Sequence, residues 1–181
     1  DNSNKVTEDQ EEIKIEVIFP AWLEKKIIIA LLAAHPYEEV AYDIISLDNE
    51  NQAIGSGLVG ELATPLAEEA FLQLLKSRFG LSVIRHTALL GRPVQKIALC
   101  GGAGAFLAGA ARAAGADFYV TSDIKYHEFF DAEDRLVIAD IGHYESEQFT
   151  TELLFAILTQ KFPTFAVLKT GVKTNPVRYF L

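Results

Sequence analysis

Residues 136–147 read Leu136-Val137-Ile138-Ala139-Asp140-Ile141-Gly142-His143-Tyr144-Glu145-Ser146-Glu147. The first half is a near-continuous apolar run, the pattern of a strand buried on both faces of a parallel sheet. The second half opens a helical pattern that runs from His143 or Tyr144 to Lys161. The same alternation precedes it. Residues 94–100 predict a strand between Gly91-Arg92-Pro93 and Gly101-Gly102, and residues 103–114 an alanine-rich helix stopped by Gly115. Residues 117–121 predict a strand and residues 125–132 a helix; residues 165–168 and 177–180 close the chain as strands. Alternating strands and helices argue for an α/β layer with a mainly parallel sheet.

Upstream of this layer lies a shorter β-α-β-β pattern. Ile13, Ile15, Val17 and Phe19 alternate with Lys14 and Glu16, as a half-buried strand requires, and Pro20 stops the run. Residues 21–34 predict a helix with Trp22, Ile27, Leu31 and Leu32 on one face, ended by His35-Pro36 because the residue before proline disfavours the α region. Residues 41–47 predict a second strand, and residues 55–62 an extended, glycine-punctuated return. Residues 65–79 then predict a helix with proline near its start and Gly80 at its end, and residues 82–86 a short strand. The expected organisation is a polar linker over 1–12, a small α+β domain over 13–63 and the α/β layer over 64–181.

The 181 residues are half hydrophobic, enough for a sizeable core. A net charge of -9 repels phosphate backbones and argues against nucleic-acid binding. With Cys100 alone, the chain can form neither an internal disulfide nor a thiolate metal cluster, which suits a reducing cytoplasm. No apolar run reaches the ~18 residues needed to span a bilayer. A start at Asp1, the absence of methionine and the polar first dozen residues suggest part of a longer protein.

Parallel sheets place function at the carboxyl ends of their strands. Three successive ends are chemically loaded here: Cys100-Gly101-Gly102-Ala103-Gly104, Thr121-Ser122-Asp123 and Asp140-Ile141-Gly142-His143. His143 and Glu147 stand four apart at a helix start, where one face presents both, and an imidazole and a carboxylate so placed can bind the same divalent cation, or one each of two neighbouring cations. The helix N-terminus disfavours the charged imidazole and so helps keep the ring available as a ligand. The plainer alternative is a capped helix start with His143 merely on the surface. Asp123 and His127 form a second such pair: Asp123 as hydrogen-bond partner of a ligand, His127 as acid or base, or else a helix cap and a packed ring. The glycines after Cys100 suit a phosphate or simply a tight turn. They match neither a P-loop nor the dinucleotide fingerprint, since residue 107 is Leu107. His35-Pro36-Tyr37-Glu38-Glu39 is a titratable loop cluster, either a ligand or partner contact or a proline-braced helix end.

The runs Thr121-Ser122-Asp123-Ile124-Lys125-Tyr126-His127 and Gly142-His143-Tyr144-Glu145-Ser146-Glu147 resemble the Nif-three-like family, whose members are also labelled GTP cyclohydrolase I type 2 homologues. Ser122-Asp123 departs mildly from the family's usual Gly-Asp. The run from His35 to Asp43 and the segment 55–62 resemble the PII/CutA-like (ferredoxin-like) domain inserted in some bacterial members. The resemblance implies an α/β fold, a toroidal homo-hexamer and two divalent ions (zinc, manganese or iron) facing an inner cavity. It carries His143 and Glu147 over as metal ligands; the family's remaining ligands, an adjacent histidine pair and an aspartate, are absent from this chain, so the site is expected to be incomplete here. Three functions follow as expectations: a di-metal hydrolase of a nucleotide-like or phosphorylated small molecule, with Asp123 and His127 in catalytic support; a regulatory or scaffold protein with a structural metal; or a partner-binding module.

Overall fold

The structure, a computed structural model, describes residues 13–49 and 54–180. The chain divides into two compact units, Asp1–Glu50 and Asn51–Leu181.

In the first unit, a 3-10 turn over Ala21–Leu23 leads into helix α1, Glu24–Ala34. The helix stops where the sequence requires: His35 is extended (φ -77°, ψ 137°) ahead of Pro36. The strands expected over 13–19 and 41–47 join no ladder among the described residues, and Ile13, Ile15, Val17, Ile44 and Ile45 are exposed. Alternation specifies which face a strand would bury, but a ladder also needs a partner's backbone.

The second unit is a five-stranded sheet in the order β1-β3-β4-β5-β2. Its strands are β1 (Leu58–Leu66), β2 (Arg85–His86), β3 (Val94–Ala103), β4 (Phe118–Ser122) and β5 (Val137–Asp140). The central three run parallel, with Ile97 opposite Phe118 and Phe118 opposite Val137. The edges β1 and β2 are antiparallel to β3 and β5. The parallel layer expected from the sequence is therefore the centre of a mixed sheet. Segment 55–62 contributes to β1 on this sheet, pairing Leu58 with Leu99 and Glu61 with Lys96.

Both faces of β4 and β5 are buried, which explains their apolar runs Phe118–Val120 and Val137–Ala139. Phe118, Val120, Val137 and Ala139 pack with Phe71 and Leu75 of helix α2 (Glu68–Phe79). Tyr119 and Ile138 face the other way, against Ala108 and Ala111 of helix α3 (Ala108–Ala113). Among the described residues, no helix is long and apolar enough to cross a membrane.

Several boundaries move for physical reasons. Pro65 lies in β1, inside the register irregularity between Glu61 and Leu66, where an edge strand tolerates a missing N–H; α2 therefore begins only at Glu68. β3 continues three residues past Cys100, through Gly102 in the left-handed region (φ +67°). Residues 105–107 and 126–132 are 3-10 rather than α. The single helix expected from His143 is two, α4 (His143–Glu147) and α5 (Thr150–Lys161). At their junction the Gln148 side chain donates to Phe79 O and Glu145 O. Residues 165–168 and 177–180 join no ladder among the described residues.

One carboxylate ties the start of β3 to the start of β4. Asp117 Oδ2 accepts from both Gln95 N and Lys96 N at 2.9 Å. Asp117→Ala leaves both donors without that partner, and urea denaturation should show a loss of about 1–3 kcal/mol.

Candidate metal centre

The three loaded strand ends meet. Because β3, β4 and β5 are parallel neighbours, their carboxyl ends share one edge, and α4 leaves β5 directly above it. Gly142 makes the exit with φ +91°, a conformation that L side chains rarely adopt. Asp140 closes β5 as a buried carboxylate, accepting from Arg85 at 3.0 Å, from Ile124 N at 3.2 Å and from Gly142 N at 3.1 Å. It thus fixes the loop from β4 and the turn into α4 together.

His143 sits between two carboxylates. Its Nδ1 is 2.6 Å from Asp123 Oδ2, and its Nε2 is 3.3 Å from Glu147 Oε2. Asp123 reaches the ring from the left-handed region (φ 56°), which an aspartate adopts at modest cost. The Asp123 hydrogen bond raises the His143 pKa above its ordinary 6.5; desolvation opposes it, and the charges of Asp123 and Glu147 add to it. The Asp123 carboxylate at hydrogen-bond distance favours the charged imidazole, opposite in sign to the helix N-terminus.

These residues line an open cleft of about 1030 Å³. One wall carries Asp123, His143 and Glu147, with Arg85 beside them; Lys173 and Tyr179 come from the last segment of the chain. Arg85 is held by Asp140, by Ile124 O at 3.1 Å and over the Phe129 ring at 5.0 Å, so its planar fork is fixed before any ligand arrives. Glu145 accepts from Asn175 at 3.2 Å and is engaged away from His143. Burial raises the pKa of Tyr179, and Glu145 adds to the rise.

His127 is not part of this wall. It lies exposed on the 3-10 helix Tyr126–Ala132, its ring edge-on to Tyr126 at 5.2 Å. His35 is in the Asp1–Glu50 unit, its Nδ1 accepting from Tyr37 N at 3.2 Å. Arg85, Asp140 and Ser146 belong to the site or its support, and sequence reading had not given them those roles. The one signal available was that Asp140 ends a buried strand.

The donor set suits a divalent cation in part. An imidazole nitrogen and a carboxylate converge, and the other ring nitrogen is fixed by Asp123, the usual arrangement behind a metal-bound histidine. Among the described residues, no group of three or more His, Cys, Asp or Glu side chains is placed to hold a metal ion.

The sequence matches the Duf34/NIF3 (NGG1p interacting factor 3) family over residues 7–176. The chain belongs to the DUF34/NIF3 family. Among its curated relatives, a GTP cyclohydrolase 1 type 2 homolog of Halalkalibacterium halodurans is 35% identical over 173 residues, covering 93% of this chain and 46% of that protein. The Bacillus subtilis protein of the same name is 31% identical, again covering 93% of this chain and 46% of its own length. The chain therefore spans about half the length of these relatives. Among solved structures, a Bacillus cereus protein related to NIF3 superposes with a TM-score of 0.71 at 33% identity, covering 90% of this chain and 46% of that one. A Staphylococcus aureus protein gives 0.70 at 26%, with 92% and 55% covered. The mixed α/β sheet is thus one this NIF3-family chain shares with its relatives.

The metal-free chain offers a direct check on the imidazole. By NMR, His143 should titrate with a midpoint above 6.5, and Asp123→Asn should return it toward that value. Because the folded pKa is raised, any stability His143 contributes is full below pH 6.5 and is lost as pH rises through the folded midpoint. The ring is half exposed, so that contribution weakens with salt.

Proposed function

We propose that this chain supplies one half of a divalent-metal centre in a hydrolase acting on a nucleotide-like or phosphorylated small molecule. One observation carries the reading: His143 is pinned at Nδ1 by Asp123 while its Nε2 and the Glu147 carboxylate face each other at 3.3 Å. Two divalent ions, zinc, manganese or iron, would bring Lewis acidity and a water activated near neutral pH. His143 and Glu147 would hold metal, with further donors from outside the Asn51–Leu181 unit. Asp123 would keep the Nδ1 proton and aim Nε2 into the cleft. Arg85, fixed and half exposed, would offer its remaining N–H groups to an anionic substrate. His127 has no place in this arrangement.

The relatives' name, GTP cyclohydrolase 1 type 2 homolog, supports a purine nucleotide as the first substrate to try. We propose further that the whole protein works in the cytoplasm as a homo-oligomer, a hexamer on the family resemblance. The exposed Leu153, Leu154, Ile157 and Leu158 of α5 give such an assembly an apolar face to bury. On the same resemblance, the segment carrying α1 and the run from His35 to Asp43 belongs to a PII/CutA-like domain.

The test is a screen of GTP, nucleoside monophosphates and p-nitrophenyl phosphate with the whole protein, metal-free and after addition of Zn²⁺, Mn²⁺ or Fe²⁺. Metal-dependent turnover lost in Glu147→Gln is the expected result. Stoichiometric metal with no turnover on any substrate would favour the scaffold reading.

A further inference from the structure

Glu147 stands where a side chain on Gly102 would displace its carboxylate. A β-carbon on Gly102 would stand 2.5 Å from Glu147 Oε1, 3.4 Å from Glu147 Cδ and 3.4 Å from His143 Cε1. Gly101 is close as well: its β-carbon would lie 3.8 Å from Glu147 Cγ. The Gly102 peptide is held from both sides. Its N–H donates to Ser146 Oγ at 2.9 Å, and its carbonyl accepts from Ser122 Oγ at 2.6 Å and Thr121 Oγ1 at 3.2 Å. Ser146 in turn donates to His143 O at 2.8 Å, so one hydroxyl joins the end of β3 to the first turn of α4. Ser122, Thr121 and Gly102 are buried, which makes an unpartnered group among them costly and the arrangement rigid.

We infer that Ser146 and Gly102 are positioning residues for the metal pair: the hydroxyl docks α4 onto β3, and the missing side chain leaves the space in which Glu147 stands beside His143. Neither group ligates. Their role is to fix the relative placement of two donors on a short helix that has no side-chain cap of its own. A surface helix of five residues is unstable alone, so without this link the pair would be spread over several conformers. The inference rests on the metal-centre reading for its consequence and on the metal-free geometry for its substance.

The experiment therefore has two readouts on the whole protein. In the metal-free state, an NOE between His143 Hε1 and the Gly102 α-protons reports the seating directly. It is expected in wild type and in Ser146→Thr, which keeps the hydroxyl, and lost or strongly weakened in Ser146→Ala. In calorimetric titration with Zn²⁺ or Mn²⁺, Ser146→Ala and Gly102→Ala should each lose about 10–100-fold in affinity, the usual cost of removing support behind a ligand, with Ser146→Thr near wild type. Persistence of the NOE in Ser146→Ala overturns the inference, as does wild-type metal affinity in that variant. A wild-type protein that binds neither ion overturns the metal-centre reading instead, and the NOE then decides the positioning alone. Ser146→Ala keeps the test valid if Gly102→Ala, strained at φ +67°, fails to fold.

Discussion

Phe118→Ala is expected to destabilise the Asn51–Leu181 unit by about 3–5 kcal/mol. Phe118 is fully buried at the centre of the parallel strands, between Ile97 on β3 and Val137 on β5. Its ring meets Phe71 of α2 edge-on at a centroid distance of 4.9 Å and 71°. Truncation forfeits the transfer free energy of the ring, leaves a cavity and removes an aromatic pair worth roughly 0.5–1.5 kcal/mol. Neighbours cannot close in cheaply, because strand hydrogen bonds hold both flanks. Phe118→Leu, which keeps most of the volume, should cost far less. Urea denaturation followed by far-UV circular dichroism measures this. Fluorescence would not serve, since the one tryptophan, Trp22, lies in the Asp1–Glu50 unit. A loss below about 1 kcal/mol would mean that this face of the sheet is not packed as described.

The same residues show what a sequence can declare. Val137-Ile138-Ala139 and Phe118-Tyr119-Val120 are legible as central strands because both faces are buried and every position must be apolar. The end of β3 is not, because Gly101-Gly102 carries turn chemistry while its pairing is decided by Ser122 and Ser146, 20 and 44 residues away. The alternation of Ile13, Ile15, Val17 and Phe19 is a true local pattern with no ladder to complete it among the described residues. At the site, that His143 and Glu147 share one helix face follows from their (i, i+4) spacing at a strand end; spacing alone favours a capped helix start, and the family resemblance is what singles the pair out as metal ligands. The pairing of Asp123 with His127 fails on the same rule. The segment is 3-10, where residues four apart point about 120° from each other, and Asp123 precedes it in the left-handed region. That carboxylate found His143 instead, a contact across 20 residues that no local period announces.

In the whole protein, His143→Ala is expected to lower affinity for Zn²⁺ or Mn²⁺ by more than about 100-fold, beyond the roughly 10–100-fold that loss of an outer hydrogen-bond partner costs. The substitution removes the Nε2 donor, and it also leaves Asp123 without the imidazole it orients. Of the pair on α4, only the Glu147 carboxylate then remains, a weaker ligand for a borderline cation than an imidazole and a carboxylate together. Asp123→Asn separates these two effects. It keeps the ring and Glu147 but weakens the hold on Nδ1, so its loss should stay within the outer-partner range. The required order is therefore His143→Ala well below Asp123→Asn, and Asp123→Asn below wild type, measured calorimetrically at one pH above the His143 midpoint. Acidification through that midpoint should weaken wild-type binding, because the cation must displace the proton on Nε2. The half-exposed ring makes no large stability contribution, so His143→Ala should fold normally, and lost affinity cannot be ascribed to unfolding. Undiminished affinity in His143→Ala would leave the residue as nothing more than the exposed first residue of α4.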